Sequence, residues 1–378
     1  MKIALIGATL FHQGAEYVLA TIARGLFNRG HEVTVILSKY HEDIEKNSPK
    51  AKPFELSEGI RVVILPVRKA SCSLFHIRQT IKDNSFDVVM SHSCNYSYAI
   101  ALATIGLRKR PKLIHVEHSG LVGVNRSGEV VRPTFSLKKW IADKLMSFMT
   151  AQIAVSKGTA DAIARMSTYP RNKIFNICNP VIDDTFLMKK SRTVDVPGLN
   201  KPHDYPIVMA AGAFNSLKNY SILIDAFSQV LKYHDARLVI FGDGPLRNSY
   251  EEQAKLLGIS DKVLLPGHTN NLPAMLKSAS CFVVSSKVES FSIVLVEALA
   301  CGVPVVATDC PYGPKEILQN GSFGVLVENK NEKALAEGII RVLEGKGVIP
   351  TQQMVEPYSI NNVLHKYEAV MAKVCECL

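Results

Sequence analysis

In the run SSKVESFSIVLVEALACGVPVVATDCPYGPKEIL, residues 285–318, two carboxylates stand in an E-x7-E arrangement at Glu289 and Glu297. Glu297 lies within Ile293 to Ala300, a stretch otherwise made only of Ile, Val, Leu and Ala. A carboxylate in such a helix costs several kcal/mol when buried, unless something binds it. Glu289 sits just ahead of the helix, after a strand-like run, where the competing reading is a solvated loop acid. Ser290 and Ser292 can cap the helix, leaving backbone N–H groups around Phe291, Ser292 and Ile293 that suit an anion. Two acids flanking an anion site fit a ligand with hydroxyls on either side of phosphates, which is the layout of a nucleotide sugar.

A second glycine-bearing loop opens the chain. The first strand-like run ends at Gly7 and the next glycine is Gly14, so the loop reads GATLFHQG and not G-x-G-x-x-G. Hydride transfer to a dinucleotide loses support here. Gly14, just before a helix, lets the backbone approach a phosphate or sugar closely; a tight turn without a ligand explains it equally well. No Asp-x-Asp pair lies at a strand end, and Asp183 and Asp184 read as turn residues. Eight cysteines, at 72, 94, 178, 281, 301, 310, 375 and 377, form neither a CxxC pair nor a His/Cys cluster at metal-ligand spacing. They read as reduced and mostly buried, in a cytosolic protein without structural zinc.

Positioning these residues requires alternating strands and helices. In the first half the strand-like runs are 2–7, 31–37, 60–65, 87–92, 112–118 and 152–156; in the second they are 207–212, 237–242, 262–267, 281–286, 304–309 and 323–328. Helical segments fall between most of them, including one from about Ala15 closed by Gly30, and Lys218 to Lys232, Pro245 to Leu257 and Ile293 to Ala300. Strands apolar on both faces, alternating with helices, predict parallel sheets covered on both sides. The expected fold is therefore α/β, with two doubly wound Rossmann-like domains facing across a cleft and ligands outside the carboxyl ends of the strands. The expected boundaries are an N-terminal domain 1–188, a polar linker 189–206, a C-terminal domain 207–355, and a helix 356–378 packing back on the N-terminal domain.

With 378 residues, 47% hydrophobic and 21% charged, the chain has the profile of an ordinary folded protein of two or three domains, which excludes a disordered tail or a lone binding module. MKIALIGATLF reads as a first strand and not as a signal peptide, and the segment Tyr96 to Leu107 is too short to span a bilayer. The net charge of +10 is unevenly placed: residues 1–185 hold 25 Lys+Arg against 15 Asp+Glu, residues 186–378 hold 19 of each. One half therefore faces something anionic, or is simply solubilised by its charge.

The sequence as a whole resembles the family 4 retaining glycosyltransferases of the GT-B architecture. The motifs that carry the resemblance are the E-x7-E pair in ESFSIVLVEALACGVPVVAT, GDGPLRNSYEEQAKLLGI (242–259), VLLPGHT (263–269), SLKNYSILIDAF (216–227), HVEHSGL (115–121) and GAEYVLATIARGLFNRGHEVTV (14–35). CPYGPKEIL (310–318) looks like members that build bacterial surface polysaccharides or lipid-linked oligosaccharides from UDP-sugars. The resemblance implies that Lys218 neutralises the donor diphosphate, that Glu289 holds the donor sugar's hydroxyls and Glu297 the ribose hydroxyls, and that His268 lies near the base. It makes His118 the active-site histidine contacting the transferred sugar, with His115 as a structural neighbour. The catalytic set is thus His118, Glu289 and Lys218, and the donor-binding set Gly14, Lys218, His268, Phe291, Ser292, Ile293 and Glu297. An arginine usual in the family is replaced by Ala213, so the phosphate clamp is incomplete or supplied by another group. No cofactor and no obligatory divalent metal are implied.

Arg108 to Lys144 carries nine Lys+Arg against three acids, with Leu137, Trp140, Ile141, Leu145 and Phe148 at helical spacings. This suits an anionic membrane surface or a polyprenyl-diphosphate head, although core-packed helices share the pattern. The expectation is transfer of a sugar from a UDP-linked donor to a growing, lipid-linked glycan, in the cytoplasm or on the inner face of the cell membrane, with no nucleic-acid partner. A UDP-sugar 2-epimerase of the same architecture is the alternative, and a non-catalytic nucleotide-sugar binding protein a third reading.

Overall fold

The computed structural model describes residues 1–11, 14–39, 41–42, 44, 53–119, 124–125, 129, 131, 136–193 and 204–376. The chain divides into one unit of Met1–Gly123, Arg132–Pro180 and Ser359–Leu378, and a second of Val124–Val131 and Val181–Tyr358. The division falls at Pro180/Val181, ahead of the polar stretch 189–206. Locally, Val181 N and Ile182 N both donate to Tyr358 O (2.9 and 3.2 Å), which ties the two ends of the second unit together. The helix Asp184–Ser191 runs into the stretch expected to be linker. Its cap corrects one reading: Asp183 is not a turn residue but the N-cap, its carboxylate accepting from Phe186 N at 2.7 Å.

The first unit holds a seven-stranded sheet in the order β3-β2-β1-β4-β5-β6-β7, every pair parallel. Its strands are β1 (Lys2–Ile6), β2 (Glu32–Ser38), β3 (Arg61–Leu65), β4 (Val88–Ser91), β5 (Lys112–Glu117), β6 (Ala151–Ala154) and β7 (Ile174–Asn176). Central strands such as β1 and β4 are buried on both faces, as continuous apolar runs in a helix-covered sheet must be. The helix Ile360–Glu376 belongs to this unit and packs on the helix Gly14–Asn28. At their crossing a Cβ on Gly25 would stand 2.4 Å from Leu364 Cδ1, so any larger residue would push that side chain aside. Arg29 Nη1 and His31 Nε2 both reach the Glu368 carboxylate, the latter at 3.1 Å.

The second unit holds a six-stranded parallel sheet in the order β10-β9-β8-β11-β12-β13. The strands are β8 (Ile207–Ala211), β9 (Arg237–Phe241), β10 (Val263–Gly267), β11 (Cys281–Val284), β12 (Val305–Thr308) and β13 (Val325–Val327). One face packs Val208, Ala210, Leu238 and Ile240 against Phe214, Leu223, Ile224, Phe227 and Tyr250. In both sheets the strand order reverses beside the first strand, between β1 and β4 and between β8 and β11. Such a switch point parts the loops at the carboxyl ends and opens a crevice for a ligand. No helix among the described residues is long and apolar enough to cross a membrane.

Candidate active site

The loops at the switch point of the second sheet carry most of the residues singled out in the sequence. After β8, Asn215 Oδ1 accepts from the backbone N–H groups of Leu217 and Lys218 (3.0 and 3.1 Å), which bends the chain ahead of the helix Tyr220–Val230. After β11, Ser285 Oγ donates to Lys218 O (2.9 Å) and Lys287 N to Leu217 O (2.8 Å), so the two loops are stitched to each other. Lys218 Nζ forms an ion pair with Glu289 Oε1, and Ser286 Oγ donates to the same oxygen at 2.8 Å. Both partners are largely shielded, with 25% of the lysine and 11% of the glutamate side chain exposed, so the pair is held in a medium where charge is felt strongly.

Glu289 is fixed by its backbone as well. Its N–H donates to Pro311 O (2.7 Å) and its carbonyl accepts from Tyr312 N and Gly313 N (2.7 and 3.0 Å). Gly313 is required here, because a Cβ would lie 2.2 Å from Phe291 O. The Phe291 ring is buried edge-on against Tyr358 and anchors the loop, leaving its backbone to do any binding.

The helix Ile293–Ala300 forms as its apolar run around Glu297 implies, but its start corrects the capping expectation for Ser292. Ser292 occupies the N-cap position in the left-handed region (φ 81°) and makes no side-chain cap, and its Oγ is buried without a partner among the described residues. The first amides of the helix therefore have no cap from Ser292, and an unpaired hydroxyl sits beside them. That combination leaves donors in place for an anion.

Further along this helix, Glu297 is partly buried, with Lys189 and Asp183 as the charges that act on it. Desolvation pushes its carboxyl up to about 7, against the pull of Lys189 and with the help of Asp183. A ligand offering hydroxyl donors would compensate that desolvation. His268 is exposed just after β10, and Ala213 is exposed after β8. Arg247 commits four of its five N–H donors to Asp243, Glu251, Gly242 O and Leu265 O and lies over the Phe214 ring, so it is held in place by its own neighbours.

In the first unit, Gly14 is exposed at the start of its helix, and the preceding residues 12–13 lie outside the described ones. His118 follows β5, and its Nε2 contacts His92 Nδ1 at 2.9 Å with the two rings nearly parallel. Burial holds His118 in the neutral form, down to about 4, and drives His92 well below the usual histidine range. His92 Nε2 is buried with no partner among the described residues. His115 is, as expected, a buried neighbour: its Nδ1 meets Ser97 Oγ at 2.8 Å and its Nε2 faces Glu117 and Cys94. Burial alone would depress His115, but Cys94 and Glu117 outweigh it and raise it; Glu117 is lowered despite its own burial.

His92, Cys94, Ser97, Glu117 and Ser286 were not anticipated as site residues. The signal available was modest: SHS and EHS are polar triplets that end apolar strand runs at the edge where a doubly wound sheet binds ligands. What no spacing rule gives is the meeting of Cys94 with His115 and Glu117, whose ligating atoms all lie within 4.8 Å of one another.

Comparison with known proteins agrees with this geometry. Residues 12–185 match the family model "Glycosyltransferase Family 4" and residues 191–361 match "Glycosyl transferases group 1". An uncharacterized glycosyltransferase of Methanocaldococcus jannaschii is 27% identical over 86% of this chain and 84% of its own. A Campylobacter jejuni α-1,4-N-acetyl-D-galactosaminyltransferase, named for acting on a diphospho-undecaprenol-linked glycan, is 27% identical over 99% of each chain. Among solved structures, Anabaena HepE with UDP and glucose superposes with a TM-score of 0.74 at 18% identity, covering 99% of this chain and 100% of its own. The lipopolysaccharide outer core galactosyltransferase WaaB gives 0.71 at 18% identity, covering 99% of both chains. None of these favours an epimerase. With two parallel sheets, family models over both halves and glycosyltransferases as relatives along the full length, the chain belongs to the family 4 glycosyltransferases of the GT-B fold.

Proposed function

We propose that the enzyme transfers a sugar, with retention of configuration, from a UDP-linked donor to a hydroxyl of a growing, lipid-linked glycan. The observation that carries this reading is the Lys218–Glu289 pair at the β8/β11 switch point, beside the start of the helix Ile293–Ala300, which the Ser292 side chain does not cap. In this reading the diphosphate lies against the amides of Phe291, Ser292 and Ile293 with the Ser292 hydroxyl as a further donor, and Lys218 takes up the charge of the departing UDP. Glu289 accepts from the sugar hydroxyls and aligns Lys218, Glu297 accepts from the ribose, and His268 borders the base. Within the first unit, burial keeps His118 a neutral imidazole that can hydrogen-bond a sugar hydroxyl, and Gly14 leaves the backbone open at the start of its helix.

The acceptor oxygen attacks the anomeric carbon from the face that the phosphate vacates, and its proton passes to the leaving phosphate oxygen. The protein's contribution is positioning and stabilisation of charge. Lys218 and backbone amides replace a diphosphate-bridging divalent ion in this scheme. A lipid-linked acceptor fits the helix Leu137–Met146, which has no buried residue, exposes Leu137, Trp140 and Ile141, and carries Lys138, Lys139 and Lys144. That surface suits the anionic inner face of a membrane and supports a location there or in the adjoining cytoplasm. The relatives' UDP complexes and undecaprenol-linked substrates support the donor and acceptor classes. Calorimetry with UDP and GDP is the test: UDP should bind and GDP should not, and tight GDP binding with none for UDP would reject the donor assignment.

A further inference from the structure

Next to His118 in the chain, three side chains from two elements converge. Cys94 opens the helix Cys94–Ala103 after β4, while His115 and Glu117 project from β5 on the same face of the strand. Cys94 Sγ is 3.7 Å from His115 Nε2 and 3.4 Å from Glu117 Oε2, and those two atoms are 3.4 Å apart. A buried imidazolium–carboxylate pair would close to about 2.8 Å. The edges of a tetrahedral site with zinc-type bonds to sulfur, nitrogen and oxygen are about 3.4–3.6 Å.

A second observation concerns the atoms facing away. His115 Nδ1 is held by Ser97 Oγ at 2.8 Å, and Ser97 is fully buried. Glu117 Oε1 accepts from Ser119 N at 2.6 Å. The histidine and the carboxylate thus each have their other polar atom tied down, which is how such ligands are oriented around metals. We infer that Cys94 Sγ, His115 Nε2 and Glu117 Oε2 form a site for one zinc ion, with solvent in the fourth position. The mixed sulfur, nitrogen and oxygen set favours zinc over magnesium or calcium, which take oxygen alone. Thiolate and carboxylate balance the dication, so the buried site carries no net charge. Just ahead of His118, the ion would join β5 to the helix that begins at Cys94. Its three residues all belong to the first unit, and it stands against the sequence-based expectation of no zinc.

The test uses the full chain without a polyhistidine tag, expressed with zinc supplementation and analysed for metal. About one zinc per chain is expected, falling below about 0.1 in Cys94→Ala. Chelator-treated wild type titrated with cobalt(II) should develop thiolate charge-transfer absorption and the intense visible bands of a tetrahedral ion. Ser97→Ala should weaken cobalt binding by about 10–100-fold. If Cys94→Ala does not fold, the cobalt titration of the wild type decides alone. Wild type without zinc and without the cobalt spectrum would overturn the site and leave a hydrogen-bonded ion pair, as would a folded Cys94→Ala that keeps its zinc.

Discussion

At the scale of single residues, Glu289 and Glu297 are alike in chemistry and separated by environment. Glu289 is engaged by Lys218 and Ser286, whereas Glu297 is desolvated with its carboxyl pushed up to about 7. Glu289→Gln should therefore lower turnover strongly and leave UDP affinity nearly unchanged. Glu297→Gln should cost about 1–3 kcal/mol of nucleotide binding, read by calorimetry; equal losses of UDP affinity in both variants would reject the division of roles. Because the folded value of Glu297 lies above that of an unfolded glutamate, its contribution to stability is present below about pH 4.5 and fades as pH rises through about 7. Donor binding, which in the proposed reading uses the carboxylate, runs the other way. Affinity for a UDP-sugar should rise between about pH 6 and 8, and Glu297→Gln should flatten that rise. The burial of Glu297 was legible from the apolar run around it. The Lys218–Glu289 contact was not, since its partners lie on loops after different strands and only the parallel order of β8 and β11 joins them.

At the scale of elements, strand and helix periodicity located 12 of the 13 strands among the described residues, and the one it missed, β7, is a three-residue edge strand in which only Ile174 is buried, so no apolar run marks it. Helix ends were less legible, because caps depend on backbone dihedrals that composition does not fix. Ser292 shows this: a residue that favours N-caps stands at the N-cap with φ 81° and does not cap. The loop after β8 holds Lys218 as the candidate cation for the diphosphate, with Ala213 exposed on the same loop. Lys218→Ala should cost about 3 kcal/mol in transition-state stabilisation, seen in kcat/KM. Ala213→Arg should tighten UDP binding, and an unchanged affinity would mean that another cation already serves the phosphates.

At the scale of the whole molecule, the entire charge excess lies in residues 1–185, and the exposed helix Leu137–Met146 joins basic to apolar side chains. Each basic residue near an anionic bilayer contributes about 1 kcal/mol, screened within a Debye length. Vesicle binding should need acidic lipid, fall with salt, and drop when Lys138, Lys139 and Lys144 are changed to glutamate, while UDP binding persists; indifference to anionic vesicles at low salt would remove the support for a membrane-borne acceptor. The central claim, retaining transfer from a UDP-linked donor, is met most directly by following slow hydrolysis of a panel of α-linked UDP- and GDP-sugars by proton NMR, with water as the acceptor. The account predicts UDP release with the α-anomer of the free sugar appearing first, before mutarotation; the β-anomer first, or turnover of GDP-mannose alone, would contradict it.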